Sequence, residues 1–276
     1  MKEKMSKNFH YAHLQDRSRD KKSFPFRPAA HLKQKAAPLR QGTIRLYGFH
    51  TVNAALKNPK RVFGHLYITL NALKRLNIPK SDLPCSVTLY SPKQLDSLVG
   101  SDAVHQGIIL ETESLKPCQL SELTNTDLVI VMDQITDPHN VGAIMRSAIA
   151  FKAGALITTC RHSPQESGVL AKAASGALEI INYITVRNLA ETLQELHKAG
   201  FISLGLDSEG DHSLETALTG RKIALVLGAE GKGLRKKTRE TVCALTRLDM
   251  PGNIKSLNVS NAATIALYVA HKYLRT

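Results

Sequence analysis

Three short stretches of this chain combine the residue types that organise chemistry. They are Gly228-Ala-Glu230-Gly-Lys-Gly233, Asp137-Pro-His-Asn140 followed by Arg146-Ser147, and Met250-Pro-Gly-Asn-Ile-Lys-Ser256-Leu-Asn258-Val-Ser260. The first follows an apolar run, Ile223 to Leu227, and sets one acid among three glycines. Glycines at a strand end allow a sharp turn and the close approach of a ligand to the main chain. It is not a phosphate loop, because Lys232 is followed by Gly233 rather than Ser or Thr. Nor is it a dinucleotide turn, because its spacing is G-x-x-G-x-G. In the second stretch Asn140 is placed to cap a helix after the turn Asp137-Pro138. Arg146 falls on the side of Gly142 and Ala150, where small residues admit a partner; taken alone, it reads as a solvated arginine. The third is a polar loop with Pro and Gly, ahead of a helix whose apolar positions run Ala262, Ile265, Ala266, Val269. Ser256, Asn258 and Ser260 either present polar groups to a ligand or simply cap that helix.

The elements that position these stretches follow from pattern. Apolar strands are expected at Asp127–Met132, Ala155–Thr159, Tyr183–Val186, Phe201–Leu206, Ile223–Leu227 and near Leu245–Leu248. Helices are expected at Val141–Phe151, Ser167–Ala174, Leu189–Ala199, Leu234–Thr241 and Asn258–Tyr273. Near-continuous apolar strands separated by helices imply an α/β fold with a parallel sheet covered on both faces. Ligands of such sheets bind beyond the carboxyl ends of the strands, where the three stretches lie. Residues 42–113 read as a separate small α/β unit, with Tyr47-Gly-Phe-His50 leading into a helix, and 114–124 as a linker to residues 125–276. His105-Gln-Gly107 reads as a structural turn before the last strand of the small unit.

Length and composition bound the partners. A chain of 276 residues suggests two domains and a tail. No run of eighteen apolar residues predicts a membrane helix, and no apolar segment follows the basic start, so a cytoplasmic protein is expected. Cys85, Cys118, Cys160 and Cys243 form no C-x-x-C pair, which fits a reduced compartment and provides no metal framework. Lys plus Arg outnumber Asp plus Glu by 37 to 23, a net charge of +14, which points to a polyanionic partner, RNA foremost. Residues 1–41 hold eleven of the basic residues against Glu3, Asp16 and Asp20 and are expected to be a disordered basic arm.

Together, in order and at matching distances over about 150 residues, the three stretches closely resemble the signature motifs of the SpoU (TrmH) family. These are RNA ribose 2′-O-methyltransferases of the SPOUT class. Tyr47-Gly-Phe-His50 and Ala103-Val-His-Gln-Gly107 also resemble the amino-terminal domain of the ribosomal members. The resemblance implies a trefoil-knotted methyltransferase domain, a homodimer whose site is completed across its interface, and S-adenosylmethionine (leaving as S-adenosylhomocysteine) as cofactor, with no metal. It implies a guanosine of 23S-type large-subunit rRNA as substrate, a tRNA ribose or a non-catalytic role in ribosome assembly being the alternatives. By the same carry-over, Arg146, Asn140, Glu230, Ser256 and Asn258 are the catalytic set, and Gly228, Leu248, Met250, Leu257 and Leu206 hold the cofactor. The sequence departs from the motif where Asp249 replaces the usual proline, a proline appears at 251, and Lys255 replaces a small polar residue.

Deleting residues 1–41 should flatten the fall of RNA affinity with salt, since every phosphate that is no longer neutralised takes about 0.7–0.9 off the log–log slope. An unchanged slope in a salt titration removes the arm from RNA binding.

Overall fold

The computed structural model describes residues 42–123, 125–253 and 256–276; the basic arm and Lys255 lie outside the described residues. The described residues open with a small layered unit: β1 (Thr43–Tyr47), α1 (Phe49–Leu56), β2 (Phe63–Ile68), α2 (Leu70–Leu76), β3 (Ser86–Leu89), α3 (Pro92–Val99) and β4 (Ile108–Glu113). Its strands lie in the order β1-β4-β2-β3, with β2 and β3 parallel and the other pairs antiparallel. Alternation sets the faces. Leu46, Leu66, Ile68, Ile108 and Leu110 are fully buried in the core that also takes Val52 and Ala55 of α1 and Ala72 and Leu76 of α2. Local chemistry fixes the helix starts. Thr69 caps α2 by accepting from the Ala72 amide, and Ser91 with Gln94 forms a capping box before Pro92 in α3. The sequence reading had no place for β1. Only Leu46 of its five residues is buried, so its pairing with β4 is set by tertiary structure.

The larger unit runs β5 (Leu128–Asp133), α4 (Pro138–Ala150), β6 (Ala155–Thr159), α5 (Gly168–Ala174), β7 (Asn182–Val186), α6 (Leu189–Lys198), β8 (Ile202–Leu206), β9 (His212–Ser213), α7 (Leu214–Ala217), β10 (Ile223–Gly228), α8 (Lys236–Thr241), β11 (Ala244–Arg247) and α9 (Val259–Arg275). Its seven strands lie in the order β7-β6-β5-β10-β8-β11-β9, and every pair is parallel. All six residues of β5 are buried, as both-face coverage requires. The short β9 and α7 escaped the sequence reading because two and four residues carry no period. Strand β10 is laid down after both its neighbours, between β5 and β8. The loops after β5, β10, β8 and β11 therefore emerge at one end of the sheet.

The two sheets share one core through α5. A Cβ on Gly168 would stand 2.3 Å from the Arg45 carbonyl oxygen, and Thr51 Oγ1 donates to the Ala171 carbonyl at 3.2 Å. Beside this contact Arg61 is buried, with Nη2 2.6 Å from both Glu166 Oε1 and Glu179 Oε1. Its Nε donates to Glu179 Oε2 at 2.9 Å and its Nη1 to the Glu113 carbonyl at 3.1 Å. Burial opposes the charge on Arg61, but the bonds and charges of Glu179 and Glu166 outweigh it and raise its pKa. Burial pushes the Glu166 carboxyl up, against the pull of Arg61. One guanidinium thus holds two buried carboxylates where the units meet. The segment 114–124 is also tied to the sheet: Cys118 forms a parallel bridge with Ile184 of β7.

Arg61→Ala is expected to cost about 3–5 kcal/mol by leaving both carboxylates buried and unpaired. Without the arginine, burial acts unopposed on the Glu166 carboxyl and holds its folded-state pKa above the unfolded one. The stability this linkage gives is present below the unfolded carboxylate range and lost as pH rises through the folded values. Melting of the variant should therefore approach wild type near pH 5 and fall away towards pH 8; a pH-independent difference refutes this account.

Candidate active site

Helix α4 begins earlier than the polar pattern suggested. Asp137, not Asn140, is the N-cap: its Oδ1 accepts from the His139 amide at 2.9 Å, and Pro138 occupies the first helical position. The fixed φ of proline and its missing N–H suit that position, so the helix starts there and Asn140 sits within the first turn with its side chain free for other work. Strand β10 ends at Gly228, and the turn after it is closed by mutual backbone bonds between Ala229 and Gly233, 3.1 and 2.8 Å long. Gly231 and Gly233 adopt φ of +74° and +63°, which glycine reaches without steric cost. Gly228 answers to a different constraint: an added Cβ would stand 2.3 Å from the Gly233 carbonyl carbon, so this glycine is required by the loop's own closure. Asn258 caps α9, its Oδ1 accepting from the Ser260 amide at 2.9 Å.

These three local solutions converge on one atom. Glu230 Oε1 accepts from Asn258 Nδ2 at 2.9 Å, Asn140 Nδ2 at 3.3 Å and the Val259 amide at 3.3 Å. Asn258 Nδ2 also donates to Asn140 Oδ1 at 2.9 Å. The carboxylate therefore sits at the N-terminus of a 17-residue helix, where its charge is favoured by the helix dipole and by an amide otherwise lacking an intrahelical partner. Asn140, Glu230 and Val259 of this node line a cleft of about 400 Å³, together with Thr136, His162 and Lys232.

A residue not singled out from sequence holds the loop to the sheet. Asp133 ends β5 fully buried, in register with Gly228; its Oδ2 accepts from the Arg235 amide at 3.0 Å and its Oδ1 from Arg235 Nε at 2.6 Å. An acid closing an all-apolar strand was the available signal, since a buried carboxylate requires a donor.

The other expected residues are distributed unevenly. Leu206 ends β8, Gly228 ends β10 and Leu248 follows β11, so they occupy one rim across three neighbouring strands, with Leu206 and Leu248 half-buried against the core. Met250 is half-buried beyond them, whereas Ser256 and Leu257 are exposed, and no hydrogen bond of the Ser256 side chain occurs among the described residues. Arg146 stands outside the node. It is exposed on α4, about 9 Å along the axis from Asn140 at 1.5 Å per residue, and has no ion pair among the described residues. Gly142 admits a close partner, helix α5: a Cβ there would stand 2.5 Å from that of Ala173. Ser147 Oγ and Thr264 Oγ1, 2.7 Å apart, fix α4 against α9, whose Ile265 and Tyr268 are exposed. His105 is structural: Nδ1 accepts from the Gly107 amide at 3.0 Å, which leaves Nε2 to donate to Asp96 at 3.0 Å. Among the described residues no group of three or more His, Cys, Asp or Glu is arranged to hold a metal ion, and no helix is long and apolar enough to cross a membrane.

The chain matches the SpoU rRNA methylase family over residues 127–268 and the substrate-binding domain of RNA 2′-O ribose methyltransferases over residues 45–118. It is 38% identical over 234 residues to the 23S rRNA (guanosine-2′-O-)-methyltransferase RlmB of Ralstonia nicotianae, covering 82% of this chain and 94% of that protein. Identity to the protein of the same name from Escherichia coli K12 is 35% over 236 residues, covering 82% and 96%. In fold it is similar to the SpoU methyltransferase AviRb from Streptomyces viridochromogenes, solved in complex with AdoMet, with a TM-score of 0.73 over 85% of this chain and 91% of that one at 21% identity.

Asp133→Ala is expected to lower stability by about 1–3 kcal/mol through the lost charged hydrogen bonds and to free the turn they hold. Hydrogen exchange of amides 229–235 should accelerate more than that of β5 and β10; uniform acceleration refutes a local role.

Proposed function

This chain belongs to the SpoU rRNA methylase family, and on that premise we propose that it methylates the ribose 2′-hydroxyl of a guanosine in 23S-type large-subunit rRNA, using S-adenosylmethionine, as a cytoplasmic homodimer. The observation that carries the reading is the convergence of Asn140, Glu230 and Asn258, from three separate motifs, on one carboxylate oxygen beside an open cleft. The rRNA reading is favoured by the match of residues 45–118 to a substrate-binding domain and by the two relatives that act on 23S rRNA.

The rim of Leu206, Gly228 and Leu248 fits an adenosyl group, because half-buried apolar side chains flank a strand end that carries none. Met250 and Leu257 lie on the loop that would border it, and the 41% exposure of Leu257 leaves that side chain apolar surface to bury. When bound, the cofactor supplies a methyl already activated by a sulfonium centre.

The task left to the protein is the nucleophile. A ribose hydroxyl attacks poorly until its proton is shared, and it must be held in line with the methyl group. Asn140 is locked by Glu230 and Asn258, so its amide group presents a fixed edge to the cleft. Glu230 acts as the organiser of that edge, and Ser256 is assigned to the ribose-side loop. Arginine keeps its proton at neutral pH, so Arg146 serves by orienting phosphate and ribose and by stabilising alkoxide character as it develops. In the homodimer the exposed Arg146 of one subunit serves the cleft of the other, and the exposed Ile265 and Tyr268 of α9 supply apolar surface for the contact.

Single-turnover transfer to 23S rRNA should fall about 10²–10³-fold in Arg146→Ala, with cofactor affinity unchanged. Wild-type rates in both Arg146→Ala and Arg146→Lys rule the assignment out. Mixed and refolded Arg146→Ala and Glu230→Ala subunits should recover roughly a quarter of wild-type activity, the statistical share of intact composite sites. No recovery means the site is built within one subunit.

A further inference from the structure

The small sheet buries one face against α1 and α2; its other face is divided. Over β1 and β4 it is covered by α3, where Leu95 and Ile109 are fully buried and Arg45 Nη1 donates to the Leu98 carbonyl at 2.8 Å. Over β2 and the end of β3 the same face carries three rings, His65, Tyr67 and Tyr90, all only half-buried. They stand in a row: His65 and Tyr67 have centroids 4.6 Å apart at 41°, and Tyr67 and Tyr90 are 4.9 Å apart at 46°. Their positions are held from beneath and beside. Thr88 Oγ1 lies 2.7 Å from His65 Nε2, and Tyr67 Oη donates to Glu111 Oε2 at 3.4 Å.

Electrostatics suits a polyanion here. Glu111, the carboxylate that touches the row, is already neutralised by Arg45 at 2.9 Å. Residues 42–113 hold eight Lys and Arg against five Asp and Glu. A folded domain gains little by leaving three aromatic rings part-exposed on a sheet, whereas every nucleobase offers a face that stacks on such rings.

We infer that His65, Tyr67 and Tyr90 form a stacking ledge for unpaired bases of the RNA substrate, a contact separate from the methyl-transfer cleft. It deepens the RNA-methyltransferase reading by naming where the small domain grips its substrate and in what form. Single-stranded RNA is the occupant, because bases within a helix are already stacked and expose no face to a protein ring.

The test uses the full chain and an oligouridine of about twelve nucleotides, within the span such grooves cover, carrying one photoreactive 5-bromouridine. Tyr67→Leu and Tyr90→Leu should each weaken binding about fivefold or more, the loss expected for one stacked base, and should raise KM for 23S rRNA more than they lower kcat. The same oligomer annealed to its complement should lose this dependence on the two tyrosines. Because a leucine variant can also fail by unfolding, wild-type protein is irradiated with the bromouridine probe and its crosslinked peptides are mapped. The ledge requires crosslinks on His65, Tyr67 or Tyr90. Crosslinks confined to other segments, or folded leucine variants that bind within twofold of wild type, overturn it. Methyl transfer by wild type is followed in parallel. Transfer without a ledge effect overturns the ledge alone, whereas ledge crosslinks in a protein that methylates no RNA overturn the functional reading alone.

Discussion

The site depends on a single acceptor, Glu230 Oε1, which receives hydrogen bonds from Asn140, Asn258 and the Val259 amide. The donors belong to two structural problems already solved locally, the starts of α4 and α9. Asn140 is free because Asp137 and Pro138 start α4 before it, and Asn258 donates with its amide nitrogen because its oxygen is spent on capping α9. A carboxylate at that point satisfies a helix N-terminus that would otherwise lack partners and couples two amide side chains to one rigid centre. In the proposed role such rigidity matters, since groups that need not reorganise stabilise developing charge at least cost.

The sheet makes this convergence geometrically available. Because β10 enters between β5 and β8, the glycine turn after it is delivered beside the loop that follows β5, although about ninety residues separate them in the chain. The buried Asp133 then clamps that turn through the backbone and side chain of Arg235. The same topology lines up Leu206, Gly228 and Leu248 along one rim. Parallel strands give all their carboxyl ends to one edge, so a polar wall and an apolar rim lie next to each other without any long excursion of the chain.

The small unit is held by a different kind of contact, one buried guanidinium shared by two carboxylates next to the tightly packed glycine contact of α5. Such pairs add little net stability, but they are intolerant of misalignment. That intolerance fixes the position of the small unit on the larger one. Its aromatic row and the cleft then belong to one compact unit.

Much of this was legible in the sequence. Apolar runs located β5, β6, β7, β8, β10 and β11 to within a residue or two, because strands buried on both faces leave a continuous hydrophobic signal. The motif residues identified the family chemistry because their types and order constrain it closely. The sequence misassigned Asn140 as a cap, since a side chain's duty depends on what packs against it. It also had no sign of β1, whose partners lie 62 to 70 residues away, or of the clamp made by Asp133 and Arg235. Sequence by itself determined the inventory: which groups can donate, accept, turn or bury. Only the tertiary structure decided which of them meet, because hydrogen bonds act over about 3 Å and the order of strands in the sheet, not their order in the chain, sets what lies within that distance.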